Sequence, residues 1–202
     1  MDSLSETLYK TTAIKKIRDG RLNSYKSSPQ DINAHYYEEG QIQSDYHKRF
    51  IYELLQNADD ALQKNTSDKR VSFILSENEL IVANTGRPIE ADDLTALCTM
   101  SYTTKSLDSE NKASIGHKGR GFSSVLEITD NPKIYSKGIS FEFNRSKSKE
   151  DIYSLINSLD NEEISALNGI PLMRLPYNLE HTPDNIKTLC QKGYNTVFLF
   201  HL

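Results

Sequence analysis

Glu53, Asn57 and Asp60 stand at i, i+4 and i+7 within the stretch FIYELLQNADDAL, residues 50 to 62. On a helix turning 100° per residue they fall within an arc of roughly 60°, so their side chains form one row. Phe50, Leu54, Ala58 and Ala61 make a neighbouring stripe wide enough to pack the helix on a sheet. A solvated helix face is the simplest account of the polar row. Two details favour a site instead: an interior Asn costs several tenths of a kcal/mol of helix propensity relative to Ala, and Ala58 and Ala61 leave room for something to approach closely. A carboxylate and a carboxamide one turn apart offer a general base for water and an oxygen donor for a hard cation such as Mg²⁺.

Two glycine segments add to this. SIGHKGRGFSSV places Gly116, Gly119 and Gly121 just before a short helix, with His117, Lys118 and Arg120 between and beside them. Glycines permit close backbone approach, and free N–H groups at a helix start attract anions, so the segment is either a phosphate cradle or a flexible surface turn. Its spacing matches neither the dinucleotide fingerprint nor the Lys-Ser/Thr phosphate loop. In VANTGRPI, Asn84 stands where a strand ends and Gly86 allows a tight turn, which presents a polar side chain at the strand's mouth or simply reverses the chain.

The elements that must position these residues follow from periodicity. A helix over residues 2 to 19, with Leu4, Leu8, Ile14 and Ile17 in phase and Gly20 at its end, is expected to be peripheral. A second is expected over Asp31–Gly40, and a third from a Ser44 or Asp45 cap to about Lys64. Alternation then predicts a hairpin, KRVSFILS with ELIVANT, followed by a helix in IEADDLTALC and a long polar loop from Thr99 to Ala113. GFSSVLEI reads as a short helix, PKIYS and ISFEFN as a second hairpin, KEDIYSLINSL and PDNIKTLCQK as helices, NTVFLFHL as a strand, and residues 160–182 as irregular. This order predicts an α+β fold, a two-layer α/β sandwich whose mixed, mostly antiparallel sheet is covered by helices on one face. The 202 residues carry 26% charged side chains, the composition of a globular protein, and a net charge of -4, which speaks against a nucleic-acid footprint over the whole surface. No apolar run suits a membrane span or a secretion signal, and Cys98 and Cys190 lack metal-ligand spacing, which fits buried thiols in a reducing cytoplasm.

Taken in order, ELLQNADDA, NTGRP, GHKGRGF and NTVFLF resemble the N box, the two glycine boxes and the pocket-closing strand of the GHKL ATP-binding superfamily, which has the Bergerat fold. Within it the phrases look most like sacsin-type, heat-shock-chaperone-like ATPase domains of large bacterial multidomain proteins, some associated with antiviral defence. The resemblance implies a helical extension over 1–43 and an ATP-binding domain over 44–202, the N-terminal part of a longer protein, since the chain stops inside a strand. It implies that Glu53 polarises the attacking water, Asn57 holds Mg²⁺ and Asp60 supports the pocket near the ribose. Asn84, in place of the family's Asp, would read adenine with Gly86 beside it, and Thr196 would bond the base through water. Gly116, Gly119, Gly121 and Phe122 would line the phosphates with His117, Lys118 and Arg120 nearby, and Lys105 would lie in the ATP lid. Asn84 accepts through a neutral oxygen and can also donate, so weaker binding is expected and a guanine preference is left open. Pro88 stands where the family has a second glycine. The implied function is Mg²⁺-dependent ATP hydrolysis with lid closure driving dimerisation or contact with downstream domains. The alternative is a nucleotide-binding regulatory module without hydrolysis.

Overall fold

The computed structural model describes residues 3–63, 68–99, 121–158 and 167–202. Three helices come first, α1 (Ser3–Ser27), α2 (Gln30–Asp45) and α3 (Phe50–Gln63). They are followed by β1 (Val71–Leu75), β2 (Glu79–Asn84), α4 (Ala91–Thr99), a 3₁₀ helix (Gly121–Glu127), β3 (Lys133–Ser136) and β4 (Phe141–Phe143). α5 (Arg145–Asn157), β5 (Pro176–Asn178), α6 (Asp184–Gln191) and β6 (Thr196–His201) complete the order. One six-stranded sheet runs β1-β2-β6-β3-β4-β5. Every neighbouring pair is antiparallel, so the expected mixed sheet is instead antiparallel throughout. No described helix is long and apolar enough to cross a membrane.

The last strand in sequence lies in the middle of the sheet, and its alternation divides the core. Phe198 and Phe200 face the helical layer with Leu80, Val82, Leu54 and Phe122. Val197 and Leu199 face the other way, onto Ile81, Ala83 and the α6 residues Ile186 and Leu189. Helices therefore cover both faces, not one, because β2 and β6 are apolar on both sides and each side must be shielded from water.

The N-terminal helices are structural rather than peripheral. α1 runs through Gly20 to Ser27 and buries Ile14 in the main cluster, while Leu8, expected on the packed face, is 68% exposed. A Cβ at Gly20 would meet nothing within 4 Å, so this glycine marks no close contact, and tertiary packing carries the helix past it. α2 likewise passes Gly40 and ends on Ser44 and Asp45, which therefore do not cap α3. Between them Lys48 adopts φ 60°, its N–H donating to Glu127 Oε2 at 2.9 Å, and α3 begins afterwards. Within the span expected to be irregular, β5 forms an edge strand of three residues starting on a proline, too short to leave a period. α5 starts earlier than its apolar spacing suggested because Asn144 caps it, accepting from Lys147 N–H at 3.1 Å.

A polar knot ties α2 to the chain before β5. Glu39 is buried and accepts the N–H groups of Leu172 and Met173 at 2.7 and 2.9 Å. Burial pushes its carboxyl up to about 7, against the downward pull of those two donors and Arg174. One turn away, burial lowers His35 to about 4, its Nδ1 meeting the Tyr25 hydroxyl at 3.0 Å. The two act oppositely. Between pH 4.5 and 7 the folded state holds a Glu39 proton that the unfolded chain has lost, so this stabilisation disappears as pH rises. Between pH 4 and 6.5 the unfolded chain protonates His35 and the folded state does not, so stability grows with pH. The native protein is expected to show a shallow net dependence. In Glu39→Gln the opposing contribution is gone, and its stability relative to wild type should rise by about 3 kcal/mol from pH 4 to pH 8. Urea unfolding at both pH values checks this, and parallel profiles would refute it.

Candidate functional site

The hydrophobic register of α3 decides where its polar row points. Leu54, Ala58 and Leu62 are buried against the core, which places Asn57, Asp60 and Ala61 on the wall of a cavity of about 140 Å³. Opposite them, Asn84 ends β2 and Thr196 begins β6, and the two are direct cross-strand partners, so both side chains stand on the same sheet face. Phe122 and Phe198 form an apolar wall, their rings 5.5 Å apart, and Arg87, Ile89 and Asp93 line the cavity together with Ala96 and Leu97 of α4. Five residues singled out from sequence (Asn57, Asp60, Asn84, Phe122 and Thr196) thus line one cavity.

Asn84 is only 2% exposed, and its orientation is set by the turn it begins. Its Oδ1 accepts the Gly86 N–H at 3.0 Å, while no described group accepts from its Nδ2. The side chain therefore offers the cavity a donor, together with the second lone pair of Oδ1. Gly86 is required sterically: a Cβ there would lie 2.6 Å from the backbone carbon of Ala61 in α3. The NTGRP turn is braced on several sides. Arg87 N–H donates to Ala61 O at 3.0 Å, and the Arg87 guanidinium forks onto both oxygens of Asp93 at 2.7 Å, a pairing that raises its pKa. Asn195 Nδ2 donates to Thr85 O and Gly86 O, each at 2.9 Å.

Glu53 lies beside the cavity rather than in its wall. Its side chain is 12% exposed, and its carboxylate lies 3.9 Å from Arg49 and over the first residue of the 3₁₀ helix. A Cβ on Gly121 would fall 2.0 Å from Glu53 Oε2, so the glycine makes room for this carboxylate. Lys105, Gly116, His117, Lys118, Gly119 and Arg120 lie outside the described residues, as does the expected lid beyond Thr99. No cluster of three or more His, Cys, Asp or Glu side chains suited to a metal occurs among the described residues. The Asn57 carboxamide suits Mg²⁺ as a hard oxygen donor, because that ion is commonly held by one or two protein groups with phosphates and waters supplying the rest.

Sequence reasoning missed the supporting groups Ser136, Arg87, Asp93 and Asn195. Ser136 faces Thr196 across β3 and β6, its Oγ accepting from the Thr196 hydroxyl at 3.2 Å and from Ile89 N–H at 2.9 Å. The Arg-Pro and the Asp at i+6 were the only local signal, since the other partners are tens of residues away.

No family model matches the chain. Over 98 residues, 48% of its length, the chain is 36% identical to Protein NO VEIN of Arabidopsis thaliana. That match spans 4% of the plant protein.

Proposed function

We propose that this chain is an ATP-binding domain of the GHKL type that hydrolyses ATP with Mg²⁺. The observation that carries the proposal is the convergence of Asn57 and Asp60 from α3 with the cross-strand pair Asn84 and Thr196 on one half-apolar cavity. A cavity of about 140 Å³ suits a flat ring system, since one of about 150 Å³ takes up benzene. The base sits there against Phe122, and the sugar and phosphates leave past Asp60 and Asn57 toward the start of the 3₁₀ helix. Asn57 Oδ1 would hold Mg²⁺, which when bound would neutralise phosphate charge. Glu53 orients a water for attack on the γ-phosphorus and takes its proton as the bond to the β-phosphate oxygen breaks, releasing ADP and phosphate. Calorimetry with a non-hydrolysable ATP analogue and Mg²⁺ tests binding, and phosphate release tests turnover. No binding at millimolar nucleotide would sink the proposal.

The position of Glu53 outside the cavity wall favours a second reading, in which nucleotide is held without hydrolysis. Binding without steady-state phosphate release, in the full-length protein, would select it.

Asn84 provides a separate test of base recognition. Replacing it by Asp retains an acceptor for Gly86 N–H and turns a second, charged acceptor toward the adenine amine. ATP should bind about 5- to 10-fold tighter, roughly 1 kcal/mol, and GTP should not. Titrating both nucleotides against both proteins decides it. Equal affinity of the native protein for ATP and GTP would contradict the adenine assignment.

A further inference from the structure

The β1–β2 hairpin determines which way each peptide group of β1 points. Ser76 N–H donates to Glu79 O and Thr85 N–H to Arg70 O, at 2.9 and 3.1 Å, so residues 70, 72, 74 and 76 direct their backbone groups toward β2. Those of Val71, Phe73 and Leu75 point outward from the terminal strand of the sheet, and no described residue pairs with them. The side chains are exposed as well: Phe73 is 40%, Ile74 43% and Leu75 72% accessible. Open edges are normally guarded by a charge, a proline or a bulge within the strand. VSFIL has no charge and no proline, and its register with β2 is unbroken.

We propose that β1 is a self-association edge, at which a second copy of this chain pairs antiparallel about a dyad through Phe73. The sequence is complementary to itself in that register. Val71 lies opposite the partner's Leu75 and Phe73 opposite the partner's Phe73, which places all three outward-pointing residues in hydrogen-bonded pairs, with about six hydrogen bonds across the dyad. Continuing the same register sets Lys69, exposed before the strand, opposite the partner's Glu77, exposed after it. A shift by one residue would place the outward-pointing amides opposite inward-pointing ones and break this charge pairing, so hydrogen bonding and charge select one alignment. A second copy satisfies the edge and closes the assembly at two, because each molecule offers β1 only once. The proposal is independent of nucleotide.

Sedimentation equilibrium of the nucleotide-free protein from about 10 to 500 µM, the range suited to a small interface, should show monomer and dimer. Phe73→Lys should weaken dimerisation at least tenfold while leaving the circular dichroism unchanged. Lys69→Glu, at an exposed site outside the strand, should weaken it, and addition of Glu77→Lys should restore it. Phe73→Cys should form a disulfide-linked dimer on mild oxidation, since facing Cα atoms in such a pair lie about 5.5 Å apart. Leu8→Cys, exposed on α1, should not. Monomer throughout, a dimer indifferent to Phe73→Lys and Lys69→Glu, or open-ended aggregation would each overturn the proposal.

Discussion

Replacing Glu53 by Gln is expected to leave ATP bound and to stop its hydrolysis. The substitution keeps the size of the side chain, and Gly121 has no Cβ to contest the space, so the packing of α3 on the 3₁₀ helix should survive. Under the proposed function, what disappears is the proton acceptor and the negative charge that orients water. Positioned general bases contribute about 10²- to 10⁴-fold, and turnover should fall by that factor with affinity within about threefold of wild type. Calorimetry measures the second quantity and phosphate release in the full-length protein the first. Hydrolysis at the native rate would remove Glu53 from the reaction, and lost binding would show that the carboxylate is structural. Gly121→Ala offers a partial cross-check, because its Cβ would displace the same carboxylate without changing its charge.

The largest effect on stability is expected at Arg174. This side chain is 2% exposed, and its guanidinium gathers three acceptors from two elements. Nη1 donates to the carbonyls of Cys98 and Thr99, at 3.2 and 2.6 Å, and Nη2 pairs with Glu38 of α2. Both carbonyls belong to the last turn of α4, where helical partners run out, so the cation completes the helix end and complements its dipole. Arg174→Ala removes the cation and leaves a cavity, the buried Cys98 carbonyl, the partly exposed Thr99 carbonyl and the Glu38 carboxylate without it. The loss should be about 3 to 5 kcal/mol. Lys at this position should recover little, since a single ammonium cannot fork across both α4 carbonyls and Glu38. Urea unfolding at pH 7 is the measurement, and a loss under about 1 kcal/mol would mean that water replaces the guanidinium. Because Ala96 and Leu97 of α4 line the cavity, Arg174→Ala should also weaken nucleotide binding, although Arg174 itself lies outside that wall.

Short-range patterns in the chain were enough to locate most elements and the heart of the candidate site. A period of 3.6 made α3 and its polar row legible, alternation revealed both hairpins and the final strand, and Asn84 stood out as a polar residue at a strand end, whereas Thr196 entered only through the resemblance to the GHKL superfamily. These features depend on neighbours within one or two turns, so spacing preserves them. The extent of α1 and α2 could not be read in the same way. Gly20 and Gly40 are common helix breakers, and only burial of Ile14, Tyr25, Ile32 and Ile42 against elements far along the chain outweighs their local cost. Glu39 meets Leu172, Arg174 meets Glu38 and Asn195 meets Thr85 over separations of more than a hundred residues, and such pairs leave no periodic trace. Whether a polar residue faces solvent, a cavity or a buried partner is settled by what the fold brings opposite it. Amino-acid type and spacing nominated Glu53, Asn57 and Asp60 together; packing put the last two on the cavity wall and set the first beside Gly121.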